Sequence, residues 1–127
     1  MTETRQPIIL VVEDDEYCRD LLNQILTMNG YHVLVAANGL EALDTLQNVN
    51  PDLILLDMKM PVMSGWEFSR RLKEERDQTI PFIIVSAAED IQMRAHETGA
   101  NGWLEKPFEL DDLLSVVGNF VNKKAEV

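Results

Sequence analysis

The stretch LILLD, residues 53–57, sets four consecutive aliphatic side chains against a carboxylate that ends them. A strand with one wet face would alternate apolar and polar residues. A run apolar at every position reads instead as a strand covered on both faces, the habit of parallel sheets between two layers of helix. The pattern recurs on either side: IILVV at 8–12, VLV at 33–35, FIIV at 82–85 and a weaker WL at 103–104. Longer stretches of helical period separate these runs. Cys18, Leu21, Leu22 and Ile25 share one helical stripe, and Leu110, Leu113, Leu114 and Val117 share another, each expected to be buried against a sheet. Five such repeats predict an α/β fold around a parallel sheet. Gly30, Gly39, Gly99 and the Pro51-Asp52 step fall at the seams, where helix ends and turns need them.

The chain has 127 residues, 46% of them apolar, which is enough to bury the core of one domain without disulfides or a structural metal. Its single cysteine, Cys18, can form no internal bridge, and the opening MTETRQP lacks the features of a signal peptide. A reducing, cytoplasmic setting is therefore expected. No run approaches the roughly 18 apolar residues that span a bilayer, so no membrane insertion is expected. With 22 acidic against 11 basic side chains, the net charge of −11 repels phosphate backbones and anionic membranes, which argues against direct nucleic-acid binding. The last helical stripe is expected to end near Val121. One domain over residues 7–122 with tails at 1–6 and 123–127 follows, and output is expected through a separate partner.

The polar residues that end the runs point to chemistry. After IILVV come Glu13, Asp14 and Asp15; after LILL, Asp57; after FIIV, Ser86; after WLE, Lys106. In a parallel sheet these carboxyl ends share one edge, and open α/β sheets bind ligands in the crevice beyond it. If the first strand neighbours the third, as in the order 2-1-3-4-5, then Glu13, Asp14 and Asp57 meet. Each like-charged pair at about 4 Å costs on the order of 4 kcal/mol at an effective dielectric near 20, so the cluster calls for a cation or raised pKa values. Mg²⁺ suits hard carboxylate oxygens, and the sequence has no Cys/His cluster to hold zinc. Lys106 can neutralise a bound anion and Ser86 can donate to a phosphoryl oxygen. Together they suggest phosphoryl transfer, with Asp57 as a carboxylate nucleophile.

The motifs VVEDD at 11–15, LLDMKMPVMSG at 55–65, IIVSA at 83–87 and GWLEKPF at 102–108, in this order and spacing, resemble the receiver domain of two-component response regulators. The resemblance covers about Pro7 to Asn122. It implies a flavodoxin-like doubly wound (βα)5 fold of strand order 2-1-3-4-5. It also implies Asp57 as phosphoacceptor, Asp14 as a direct Mg²⁺ ligand, Glu13 as an acidic partner acting through water, and the backbone carbonyl of Lys59 completing the metal set. Ser86 would be the switch hydroxyl, Lys106 would pair with the phosphoryl group, and the Lys106-Pro107 bond would be cis. The implied partners are a sensor histidine kinase or histidine phosphotransfer protein as donor and an unidentified downstream protein, reached through the face of the fourth helix, fifth strand and fifth helix. Passing the phosphate onward as a relay intermediate is the alternative.

Two positions depart from the family pattern. Trp103 stands at the switch aromatic position, where Tyr or Phe is usual, and its indole either follows Ser86 inward or stays outward as a partner anchor. Lys59 lies two residues past the acceptor, a position that in the family influences how water reaches the acyl phosphate. Plainer readings apply elsewhere. Asp15 reads as a helix N-cap, Cys18 as a buried structural thiol, His32 and His96 as surface residues, and Met58, Met60 and Met63 as packing for the acceptor loop. At least one of Trp66 and Phe68 reads as core. A haloacid-dehalogenase-type phosphohydrolase would need Asp-x-Asp where this chain has Asp57-Met58-Lys59. A flavodoxin-like FMN carrier would need a phosphate cradle where Glu13-Asp14-Asp15 stands. A docking-only receiver is disfavoured because every matched site position is filled.

Overall fold

Strands and helices alternate along the chain in the computed structural model, which describes residues 6–58, 60, 62–75, 80–87 and 91–121. They run β1 (Ile8–Val12), α1 (Glu16–Met28), β2 (His32–Ala36), α2 (Gly39–Leu46), β3 (Leu53–Leu56), α3 (Gly65–Glu75), β4 (Phe82–Ser86), α4 (Ile91–Thr98), β5 (Gly102–Glu105) and α5 (Leu110–Phe120). All neighbouring strands are parallel, in the order β2-β1-β3-β4-β5. The flavodoxin-like architecture expected from the sequence is the one observed.

The period of two along each strand divides the core. Leu10, Val12, Ile54, Leu56, Phe82 and Ile84 face one way, against Ala42 and Leu46 of α2, Phe68 and Leu72 of α3, and Ile91 and Ala95 of α4. Ile9, Val11, Leu53, Leu55, Ile83 and Val85 face the other way, against Leu22 and Leu26 of α1 and Leu113 and Val117 of α5. The central strands β1, β3 and β4 are buried almost throughout. Each fully buried aliphatic side chain contributes roughly 1.5–3 kcal/mol over its exposed state.

Two expectations about burial need correction. Leu21 is 36% exposed and Leu110 is 50% exposed, although both belong to stripes expected to be buried. At about 100° per residue a stripe centred on Leu22 and Leu26 leaves Leu21 at its margin, and one centred on Leu113 and Val117 leaves Leu110 on the first, outer turn. Nor is every strand covered on both faces. β2 and β5 form the sheet edges, so Val35 and Trp103 stay partly exposed, at 43% each.

Local chemistry sets the seams. Asp15 caps α1 by accepting from the Cys18 N–H at 2.8 Å, as expected. Asn38 accepts from the Glu41 N–H at 2.9 Å, and the Glu41 carboxylate accepts in return from the Ala37 N–H at 2.9 Å, a reciprocal cap for α2. Gly30 and Gly99 take positive φ after α1 and α4. The Lys106–Pro107 peptide bond is cis. Phe68 is fully buried, whereas Trp66 is partly exposed beneath α4, with the Arg94 guanidinium 5.2 Å from the centre of its ring. Lys73 of α3 donates to the Thr98 carbonyl at the end of α4 at 2.5 Å, a second tie between these two helices.

Candidate phosphoryl-acceptor and cation site

Register brings the functional carboxylates together. Val12 pairs with Leu56 across β1 and β3, and the Asp57 N–H donates to the Val12 carbonyl at 3.0 Å, so the residues that follow each strand emerge side by side. Glu13 is tied on its other flank by its N–H to the Ala36 carbonyl of β2 at 3.0 Å. Carboxylate oxygens of Glu13, Asp14 and Asp57 then all lie within 4.8 Å of one another. Glu13 and Asp57 are buried, at 2% and 7% exposed, while Asp14 is exposed.

β4 and β5 complete the edge. Ser86, 2% exposed, pairs with Glu105, and the Lys106 N–H donates to the Ser86 carbonyl at 3.0 Å. From there the Lys106 side chain crosses to Glu13, with Nζ 2.6 Å from Oε1. Ninety-three residues of sequence separate the two. Burial pulls the Lys106 pKa down, but the Glu13 hydrogen bond and the charges of Asp57 and Glu13 outweigh it and raise the value above that of an ordinary lysine. The Cys18 thiol is pushed up to about 11, first by burial and then by the charge of Glu13, so it stays protonated and unreactive at neutral pH.

The chemistry of the donor set fits Mg²⁺. All three groups are hard oxygen donors, and their spread is close to the roughly 4.2 Å between opposite oxygens on an ion bound at about 2.1 Å. A compensating cation, the Lys106 ammonium, already sits on the most buried of the three carboxylates. Lys59, whose carbonyl was the fourth expected ligand, lies outside the described residues.

The loop after β3 is shaped by packing. Met58 and Met63 are buried and Met60 packs on the same core layer. Gly65 begins α3 directly against the end of β3, its N–H donating to the Met58 carbonyl at 3.1 Å. A Cβ at Gly65 would stand 2.8 Å from the Asp57 carbonyl oxygen and 2.8 Å from Met58 Cα, so only glycine fits. Trp103 points outward at β5, on the opposite side of Glu105 from Lys106 in the chain, and is 43% exposed. A groove of about 330 Å³ opens beside the site, lined by Tyr17, Cys18, Leu21, Lys106, Pro107 and Phe108 with Ala87.

The sequence reading missed Arg19. Its Nη1 donates to the Glu13 carbonyl at 2.9 Å and to the Asp14 carbonyl at 3.3 Å. A lone arginine in the first turn of a helix carries no motif signal; only its place five and six residues after the acidic pair hinted at a contact.

A family profile described as "Response regulator receiver domain" matches residues 9–118. Sporulation initiation phosphotransferase F of Bacillus subtilis (strain 168) is 40% identical over 119 residues, covering 92% of this chain and 95% of that protein. Response regulator MprA of Mycobacterium sp. (strain KMS) is 39% identical over 109 residues, covering 84% of this chain, and there the chain spans only 47% of the relative's length. Among solved structures, the Thermotoga maritima response regulator TrrA in complex with Mg(2+)-BeF superposes with a TM-score of 0.82 at 30% identity, covering 91% of this chain and 100% of that one.

Proposed function

The chain belongs to the response regulator receiver domain family of two-component signalling, and from that premise we propose that it is a switch phosphorylated on Asp57. The observation that carries this reading is the meeting of Glu13, Asp14 and Asp57 oxygens within 4.8 Å, with the Lys106 ammonium at their rim. A carboxylate oxygen of Asp57 forms the new P–O bond as the P–N bond of a phosphohistidine breaks, its electron pair returning to the imidazole. The donor is a sensor histidine kinase or a histidine phosphotransfer protein, and the apolar groove beside Lys106 receives it.

Glu13, Asp14 and Asp57, with the backbone carbonyl of Lys59, would hold Mg²⁺. When bound, the ion neutralises charge on the carboxylates and on the phosphoryl oxygens. Lys106 leaves Glu13 to pair with the phosphoryl group, and the Ser86 hydroxyl donates to it. That engagement favours a minor arrangement of α4, β5 and α5 that a downstream protein reads. Trp103, exposed on β5, serves in this scheme as an anchor for that protein. The receiver unit is assigned to residues 7–122, in the cytoplasm.

A second reading, passage of the phosphoryl group to another protein, is favoured by the likeness to sporulation initiation phosphotransferase F along 95% of that protein. Acyl-phosphate chemistry at Asp57 is common to both. Labelled phosphate uptake from a small phosphodonor in the presence of Mg²⁺ is the test. Uptake is expected in the wild type and its loss in Asp57→Asn; undiminished uptake in that variant would remove Asp57 from the role of acceptor. Transfer of the label from the phosphorylated chain to a histidine phosphotransfer protein separates the relay from the terminal switch.

A further inference from the structure

Arg19 lies in the first turns of α1, half-buried, with its guanidinium turned back toward the acidic loop. Nη1 donates to the carbonyl oxygens of Glu13, at 2.9 Å, and of Asp14, at 3.3 Å. These two carbonyls belong to the peptide units on either side of the Asp14 Cα. The remaining contacts of the loop act on its neighbours, except that the Asp15 N–H, which shares a peptide unit with the Asp14 carbonyl, is held by the Glu13 carboxylate. The Glu13 N–H is held by Ala36, the Glu13 carboxylate accepts from the Asp15 N–H at 3.2 Å, and the Asp15 carboxylate is committed to the Cys18 N–H. Glu13 and Asp57 are further fixed by burial, but Asp14 is exposed, and packing does least to aim its side chain.

Charge makes the position of Arg19 informative. A guanidinium this close to a cation site repels the cation it neighbours, so by Coulomb's law alone its removal should strengthen metal binding. Preorganisation acts with the opposite sign, because a ligand held in place by a supporting hydrogen bond loses less freedom when the ion arrives.

From this geometry we infer that Arg19 is a positioning residue for the cation site, clamping the peptide units on both sides of Asp14 so that its carboxylate is aimed into the cluster with Glu13 and Asp57. The inference rests on the Mg²⁺ reading of that cluster. Arg19 touches neither the ion nor the phosphoryl group; it acts through the backbone of the ligand residues. A lysine here would keep the charge and one donor but reach less far, and an alanine would lose both.

Mg²⁺ titration calorimetry on the full chain tests this, with thermal unfolding in EDTA measured alongside, for the wild type, Arg19→Ala and Arg19→Lys. Arg19→Ala is expected to weaken Mg²⁺ binding by about 10-fold, in the range seen when the supports of metal ligands are removed, with Arg19→Lys between it and the wild type. Mg²⁺ binding unchanged or tighter in Arg19→Ala would overturn the inference. So would a lower melting temperature with no change in affinity, since that marks a clamp of the fold alone. Absence of Mg²⁺ binding in the wild type would overturn the cation site and this inference together, whereas a wild type that binds and variants that bind equally well would overturn only the role of Arg19.

Discussion

Glu13 carries a carboxylate at 2% exposure, and its burial is tolerated because the Lys106 ammonium stands 2.6 Å away. Removing one member of a buried pair costs about 3–5 kcal/mol. The Lys106 side chain is itself 22% exposed, so about 2 kcal/mol is expected for Lys106→Met, with part of the loss recovered by Mg²⁺ acting as substitute cation. Urea unfolding in EDTA and in millimolar Mg²⁺ checks this; equal stability of wild type and variant in EDTA would show that Lys106 does not compensate Glu13. The dependence on pH has a definite sign. Because the folded Lys106 pKa lies above its ordinary 10.5, the contribution of the pair is complete below that value and declines as pH climbs through the higher folded one. The stability gap between wild type and Lys106→Met should therefore stay level from neutral pH to about pH 10 and narrow above it.

Among the elements, α3 is held close against the end of β3, because Gly65 lets its first turn lie on the backbone of residues 57 and 58. Gly65→Ala would press a methyl group into backbone atoms that cannot yield as a side-chain tip would. A loss of about 1–3 kcal/mol is expected from the denaturation midpoint, together with slower phosphate uptake as the Asp57 carbonyl is displaced. An alanine variant as stable as the wild type would mean that α3 has room to move. The identity of the elements was legible in the sequence because strand runs such as LILL are apolar on both faces, and the structure places them on both faces of the sheet. Angular position was less legible. Leu21 and Leu110 have the right residue type for a core but sit at the edge of their stripes, and only the packing of α1 and α5 on the sheet decides which side of a helix is inner. Gly65 was quoted within a motif, yet its need for close approach depends on where α3 lands.

At the scale of the molecule, a net charge of −11 meets three carboxylates gathered on one edge. Millimolar Mg²⁺ should raise the melting temperature by several degrees more than NaCl of equal ionic strength, since specific binding at a hundredfold excess over Kd adds about 2.7 kcal/mol. Asp14→Ala should erase the difference, and equal shifts from the two salts would argue against a specific site. The convergence of Glu13, Asp14, Asp57, Ser86 and Lys106 on the carboxyl edge could be foreseen, because each residue follows a strand and parallel strands end together. That Lys106 reaches Glu13 could not. The Lys106–Glu13 pair joins positions 93 apart in the chain, and the hold of Arg19 on two carbonyls is backbone chemistry that side-chain motifs do not encode. The stacking of Arg94 on Trp66 has a consequence of another kind. An indole on α3 with a guanidinium from α4 over its face is a built-in optical gauge: with Trp103 replaced by Phe, so that Trp66 is the one indole left, the colour and yield of its emission are expected to follow the seating of the fourth helix as the cation approaches or withdraws.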